Sequence, residues 1–292
     1  MRDFSTNKFY FHDENRNVSF DSENKLGIVQ RSILNKQLNY LATIKYFDTD
    51  DDEEQKRLDY AIDITFLGKN RLHIDKFDFF YNRRAPTLIV EQLVNEINKA
   101  IYPIEVTLNH EGFIDTINNL ETIRERWKKT KTKIQREHKG NIVDLLLKKT
   151  DSELNKPISM AYAFAKDMFW SVFLHANTTS YGKKFETTQE IKFPFESYAM
   201  PLLFKGLGRL NKYTTEQGTI ETAFEGLTAL PKESPLYRNR KDSDLRSKLN
   251  IDTFLERETR LPIWIKTVCT AFDNEDRKNI KTIELSIAKQ NK

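Results

Sequence analysis

Five histidines are the side chains best suited to proton transfer near neutral pH: His12, His73, His110, His138 and His175. None falls in the HExxH spacing or another recognised metal-binding pattern. A carboxylate adjoins an imidazole at His12-Asp13-Glu14 and at His110-Glu111. Neighbouring residues on a strand face opposite sides, and His110 precedes a Glu-Gly turn. Neither pair therefore predicts a joint catalytic site.

An acidic segment offers oxygen ligands at the spacing of a calcium loop. Asp48, Asp50 and Asp52 occupy what would be its first, third and fifth positions. Glu53, however, stands at the sixth position, where the sharp turn needs glycine, and Asp59 replaces the bidentate glutamate at the twelfth. The segment is therefore interpreted as a solvated hairpin tip, and no metal site is predicted.

Nucleophilic chemistry has little support in the sequence. Cys269 is the only cysteine and lies in the apolar segment WIKTVCTAF, which is typical of a small buried side chain. A single cysteine excludes an intramolecular disulfide and indicates a reducing compartment. Neither a phosphate-binding glycine loop nor GxSxG is present. We therefore expect no cofactor and no enzymatic activity, with a hydrolase that uses acids from a sheet kept as an alternative.

Composition describes an ordered globular protein with an aromatic core. The 292 residues include 20 Phe and 11 Tyr but only 9 Gly and 8 Pro. Forty-seven basic and 43 acidic residues are interspersed and give a net charge of +4, which argues against a nucleic-acid partner. The longest apolar run, residues 158–174, is shorter than a bilayer span and contains Lys166 and Asp167. No membrane span or secretory signal is predicted, and a cytoplasmic location is expected.

Hydrophobic periodicity divides the chain into strands and helices. Strands are predicted at 38–47, 57–67, 71–80, 102–109, 113–117, 184–195, 202–213, 219–230, 251–255, 261–272 and 279–288. Helices are predicted from Pro86, from Asn119 to Gly140, from Asn141, and from Ser159 through a nearly all-apolar segment. In the third strand Leu72, Ile74, Phe77 and Phe79 alternate with one slip. Residues 231–248 are interpreted as a flexible polar connection.

These elements predict an α+β fold: a large curved antiparallel sheet, or half-barrel, with a helical insertion packed on its concave face. Residues 1–30 are interpreted as an N-terminal arm. Residues 31–292 form one domain, because strands resume after Asn177, and residues 118–176 form the insertion.

Two segments resemble a known class of protein. YPIEVTLNHEGFIDTINNLE reads as strand, turn, strand and helix start, and DTFLERETRLPIWIKTV reads as strand, turn, Leu-Pro and strand. Both are similar to uncharacterised bacterial lipoprotein-like proteins with a curved antiparallel sheet. The sequence departs from them in having no lipid-attachment cysteine, and in placing Arg260 where the turn before Leu-Pro usually has Gly. The resemblance implies a half-barrel of roughly 9 to 11 strands, as in lipoprotein carriers, and assigns no functional residue.

Three functions follow as hypotheses. The first is a non-enzymatic bacterial scaffold, adaptor or chaperone that binds a protein partner, because long strands offer edges for strand addition. The second is a carrier of an apolar small molecule or lipid between sheet and helices. The third is the hydrolase. Five aromatic residues are the candidate partner or ligand contacts: Trp127, Phe164, Phe169, Trp170 and Phe173.

Overall fold

The computed structural model describes residues 24, 26–28, 32–48, 53–109, 112, 114–156, 164, 166–195, 200–238, 240 and 243–290. The strands are β1 (Gln37–Asp48), β2 (Lys56–Gly68), β3 (Arg71–Tyr81), β4 (Ile104–Leu108), β5 (Ile114–Ile117), β6 (Glu186–Phe193), β7 (Leu202–Leu210), β8 (Ile220–Ala229), β9 (Leu245–Leu255), β10 (Pro262–Asp273) and β11 (Asn279–Lys289). The α-helices are α1 (Ile89–Ile101), α2 (Leu120–Glu137), α3 (Asn141–Leu154), α4 (Met168–Phe173) and α5 (His175–Thr178).

All eleven strands belong to one open antiparallel sheet, in the order β5-β4-β3-β2-β1-β11-β10-β9-β8-β7-β6. The chain starts at the centre with β1, moves outward to β5, and crosses by helices to β6 at the opposite edge. It then returns strand by strand until β11 pairs with β1, with Thr43 opposite Ser286. The predicted antiparallel sheet with a helical insertion is confirmed. The insertion is also the connection between the two edge strands.

One face of the sheet, called the inner face, carries the core. Alternate residues of each strand are buried there, as Leu38, Tyr40 and Ala42 show in β1. Helix α4 packs on this face against β6, β10 and β11. Its Phe173 ring meets the Tyr40 ring edge-on at a centroid distance of 5.0 Å. Apolar burial of this extent is the main force that holds the helices to the sheet.

Helices α1, α2 and α3 form a layer beside strand β3. Arg126 of α2 donates to the carbonyl of Ile101, and Lys133 of α2 pairs with Glu96, so α2 runs antiparallel to α1. The Trp127 indole N–H donates to Asp151 of α3 at 2.8 Å, which fixes α3 antiparallel to α2. Consequently α1 and α3 run parallel, and their first turns lie at the same end of the layer as the last turn of α2.

Strong curvature brings elements from the two sides of the sheet together. Gly112, in the turn between β4 and β5, adopts φ +81, and a Cβ on it would lie 2.6 Å from Thr178 of α5. Pro194, which follows β6, lines the same cavity as Ile44 of β1. The two halves of the sheet therefore face each other across the interior, as expected of a half-barrel.

Two sequence predictions need correction. The predicted helix from Ser159 through His175 is not continuous, because Asp167 accepts from the N–H groups of Phe169 and Trp170 and caps a separate helix, α4. Residues 157–163 and 165 lie outside the described part of the chain. The connection at 231–248 is also shorter than predicted. It contains a 3-10 helix at Pro235–Tyr237, and β9 already begins at Leu245.

The described part of the predicted arm is packed against the sheet domain. Leu26 is fully buried in a small cluster with Tyr181, Leu210 and Ile220. Its carbonyl accepts from the guanidinium of Arg260 at 2.6 Å. Arg260 has φ +60, the left-handed conformation that glycine would adopt more easily. The contact with Leu26 shows what the arginine side chain does at this turn.

Candidate functional site

In β3 a lysine that faces the interior of the sheet is followed by a bulge. Lys76 continues the inward alternation of Leu72 and Ile74 and lies opposite Ile62, whereas Phe77 lies on the outer face. Phe77 pairs with Ala61 and Phe80 with Asp59, so the register slips at Asp78, which has φ +52. The sequence predicted a slip between Ile74 and Phe77 with Phe77 facing inward; the slip lies instead at Asp78, and the predicted position of Phe77 is wrong.

Lys76 makes a buried ion pair with the residue that caps α4. Its side chain is 4% exposed, and its Nζ lies 2.5 Å from a carboxylate oxygen of Asp167. The second oxygen of Asp167 accepts the Phe169 N–H at 2.9 Å. A buried ion needs such compensation because its transfer from water is costly. The pair thus joins the start of α4 to strand β3.

Three aromatic rings surround the ammonium group of Lys76. Its Nζ lies 4.9 Å from the ring centroid of Tyr60, 5.8 Å from that of Tyr102 and 5.7 Å from that of Phe169. Ring faces attract cations, and the attraction grows when the site is shielded from water. The rings therefore stabilise the cation without neutralising it.

The ion pair lies in a cavity of about 280 Å³ between the sheet and the helices, called the lysine cavity. Its lining is Ile44, Tyr46, Leu58, Tyr60, Lys76, Phe79, Asn98, Tyr102, Lys166, Asp167, Met168 and Pro194. Two cations, Lys76 and Lys166, face one anion, Asp167. The lining therefore combines lysine and carboxylate side chains, of which Lys76 and Asp167 pair with each other.

Two phenols add neutral hydrogen-bonding groups to the lysine cavity. Burial, and then the charge of Asp167, raise the pKa of Tyr60 well above its ordinary value. The pKa of Tyr102 is raised by the same two causes, followed by Asp75. Both hydroxyls therefore stay protonated at neutral pH and are able to donate to an acceptor on a bound molecule.

An apolar groove of about 290 Å³, called the α1–α3 groove, adjoins the lysine cavity. Its lining is Val94, Ile97, Asn98, Ile101, Tyr102, Leu146, Lys149, Thr150, Glu153, Leu154, Phe164 and Asp167. Asn98, Tyr102 and Asp167 line both spaces. A polar chamber thus continues into a largely apolar channel, an arrangement suited to an amphipathic molecule.

Of the five aromatic residues singled out in the sequence, the structure brings Phe169, Trp170 and Phe173 into mutual ring contact and leaves the other two apart from them. Phe164 lines the α1–α3 groove, and Phe169 contacts the Lys76 ammonium group. Phe173, the last residue of α4, is fully buried between this helix and the sheet, and Trp127 is buried between α2 and α3. Trp170 lines a different space of only about 30 Å³, beside His175.

The other titratable candidates lie apart from the lysine cavity. His175 borders the small space beside Trp170, and burial lowers its pKa to about 4. Burial raises the pKa of the Cys269 thiol to about 12, which makes it a poor nucleophile. His73 lies 4.0 Å from Glu105, and both side chains are well exposed. His12, His110 and Glu111 lie outside the described residues.

Two features are absent from the described residues. These residues contain no group of three or more His, Cys, Asp or Glu side chains arranged to hold a metal ion. No helix among them has both the length and the apolar character needed to cross a bilayer.

Comparison with known proteins gives little. No protein-family model matches the sequence, and no curated protein matches it. The chain is similar to lipovitellin, in a structure titled for its lipid–protein interactions, with 9% identity and a TM-score of 0.46. That match covers 87% of this chain and 25% of lipovitellin, so the chain spans about a quarter of that protein's length. A dehydratase domain from the CurJ module of curacin polyketide synthase aligns at 9% identity, over 90% of this chain and 78% of that one, with a TM-score of 0.12.

At these scores neither likeness bears on function. The large antiparallel sheet implied by the sequence resemblance is present. Membership of a bacterial lipoprotein-like family stays a prediction.

Lys76 is the site residue that the sequence reasoning missed. Leu72, Ile74 and Lys76 continue one strict alternation, and that pattern places the lysine on the apolar face. The apolar Phe77 obscured it, because a bulge was not placed between Phe77 and Phe79.

Proposed function

We propose that the protein binds a single-chain amphiphile with a monoanionic head group. The head group would lie beside Lys76, and the apolar chain would lie in the α1–α3 groove. The observation that carries the proposal is a buried lysine, Lys76, in a cavity that adjoins an apolar groove. This refines the carrier hypothesis drawn from the sequence.

The charge and donors of the lysine cavity support an acidic head group. An anionic head would lie beside the ammonium group of Lys76, which three aromatic rings surround. It would also accept hydrogen bonds from the ammonium group and from the phenols of Tyr60 and Tyr102. Charge-assisted hydrogen bonds of this kind are about twice as strong as neutral ones.

Calorimetric titration with three molecules that share one chain tests the proposal: decanoate, decanol and decyltrimethylammonium. Decanoate is expected to bind most tightly and the cationic molecule least. The variant Lys76→Met/Asp167→Asn should lose the preference for decanoate over decanol. Lys45→Met, which removes a partly exposed cation of β1 outside the cavity, should keep this preference. Equal binding of the anionic and cationic molecules, or no binding of any, would refute the proposal.

A second candidate function, binding of a protein partner, is favoured by the outer face of the sheet. Six apolar residues lie side by side on six neighbouring strands there: Phe77, Ala61, Leu41, Ala288, Trp264 and Phe254. Leu41 is 41% exposed and Trp264 is 36% exposed. Exposed apolar rows of this kind often mark interaction surfaces. If the Leu41→Arg/Trp264→Arg variant binds a partner protein as tightly as the parent does, the outer face is not the binding surface.

A further inference from the structure

The shared end of the helical layer combines exposed apolar side chains with lysines. Leu88, Ile89 and Val90 begin or precede α1, and they are 57%, 59% and 43% exposed. Ile142 and Leu145 lie in the first turns of α3 and are 57% and 65% exposed. Because α1 and α3 run parallel, these five residues lie at one end of the layer. Together they are called the helix-end patch.

Basic residues surround the helix-end patch. Arg136, in the last turn of α2, lies at this end of the layer, and so does Arg84, which interacts electrostatically with Glu91. Lys139 follows α2 at this end of the layer, and Lys148 lies one turn beyond Leu145; both are exposed. Two of the acids near the patch are engaged. Glu91 accepts from the N–H groups of Thr87 and Leu88, and Glu137 pairs with Arg136.

The remaining acid, Asp144, lies in the first turn of α3, where it faces the positive end of the helix dipole. Around the five apolar side chains, four basic residues therefore stand against three acids, which leaves a small basic excess: Arg84, Arg136, Lys139 and Lys148 against Glu91, Glu137 and Asp144. This excess is complementary to an anionic surface.

The helix-end patch continues into the α1–α3 groove. Val94, which lines the groove, follows the exposed Val90 by one helical turn. Leu146, on the opposite wall, follows the exposed Ile142 by one turn. An apolar path therefore runs from the exposed end of the helices to Tyr102 and the lysine cavity.

We infer that the helix-end patch docks on an anionic phospholipid surface and presents the open end of the groove to it. Apolar side chains enter the boundary between head groups and acyl chains, while lysines contact the lipid phosphates. The inference rests on the proposed amphiphile binding, because the groove then receives its ligand from the membrane side. A lipid surface explains both the exposed apolar side chains of the patch and the basic residues around them. An apolar protein partner explains only the apolar side chains.

Vesicle flotation tests the inference on the full chain. Vesicles of phosphatidylcholine with phosphatidylglycerol should retain the protein, and vesicles of phosphatidylcholine alone should retain much less. Retention should weaken as salt is raised, because exposed charges are screened. Ile142→Glu/Leu145→Glu should lower the partition coefficient by about tenfold or more, since each charge opposes burial in the lipid. Leu227→Glu, a matched change at an exposed leucine of β8, should leave the partition coefficient unchanged.

Decanoate titration of the same variants separates this inference from the proposed function. Ile142 and Leu145 do not line the groove, so Ile142→Glu/Leu145→Glu should bind decanoate as the parent does. Vesicle binding that is absent, equal on neutral vesicles, or unchanged in this variant would overturn the docking inference and leave decanoate binding intact. Vesicle binding without decanoate binding would support the docking surface and refute the proposed ligand.

Discussion

Lys76 and Asp167 act as a unit, and each destabilises the folded protein when the other is removed. The carboxylate caps α4 and the ammonium group neutralises it, inside a cavity that also holds three aromatic rings. An unpaired charge left in such a place destabilises a fold far more than the intact pair stabilises it.

Unfolding measurements on four variants test this coupling. Lys76→Met should lower the free energy of unfolding by about 3–5 kcal/mol, because it leaves Asp167 without its partner. Lys76→Met/Asp167→Asn should recover most of that loss, since asparagine still caps a helix and no charge remains. Asp167→Ala should be more harmful than Asp167→Asn. A double variant no more stable than Lys76→Met would show that the two charges are not coupled.

His175 predicts a dependence of stability on pH. Burial lowers its pKa from 6.5 to about 4, so between these values the unfolded chain binds a proton that the folded chain does not. The contribution of His175 is therefore fully present above pH 6.5 and is lost as the pH falls towards 4. The slope approaches about 1.4 kcal/mol per pH unit.

Urea denaturation from pH 7 to pH 4.5 measures this slope. The free energy of unfolding of His175→Gln should fall less steeply with decreasing pH than that of the parent protein. His138→Gln, at the end of α2, is the matched control. If the free energy of unfolding changes with pH in the same way in the parent and in His175→Gln, the titration of His175 is not the cause.

At the scale of elements, the sequence predicted the features that depend on local residue patterns. Alternation located the strands, and the Gly112 turn was correctly placed between β4 and β5. The break before α4 was not predicted, because the apolar residues on both sides of Asp167 hid its role as a cap. The slip in β3 was placed before Phe77 and not at Asp78, and so Lys76 was missed. Which strands pair over long distances depends on contacts that no local pattern contains.

The turn between β4 and β5 predicts a test of the contact between the two sides of the sheet. Gly112→Ala should destabilise the protein for two reasons: alanine is strained at positive φ, and its Cβ would collide with Thr178. Gly218→Ala measures the first effect alone, about 1–2 kcal/mol, because Gly218 has φ +77 with open space around it.

Thr178→Ser removes the methyl group that the new Cβ of Gly112→Ala would strike. In thermal unfolding, Gly112→Ala/Thr178→Ser should therefore match Gly218→Ala more closely than Gly112→Ala does. Equal loss in Gly112→Ala and Gly218→Ala would mean that the turn does not press against α5.

At the scale of the whole molecule, the N-terminal segment is predicted to belong to the folded domain. Leu26→Ala should lower the free energy of unfolding by about 2–5 kcal/mol, the usual cost of a cavity at a fully buried leucine. Leu227→Ala, at a leucine that is 48% exposed, should change it little. A Leu26→Ala variant as stable as the parent would show that residues near 26 form a separate arm.

The pairing of β1 with β11 sets the order in which this molecule is completed during synthesis. Strands β1, β2 and β3 leave the ribosome early, yet the free edge of β1 has to wait for residues 279–289. Until then the nascent chain presents an unpaired strand of twelve residues, a template for pairing with other chains. Chaperone dependence and aggregation during expression should therefore respond more to changes at the β1 edge than to changes at β5 or β6.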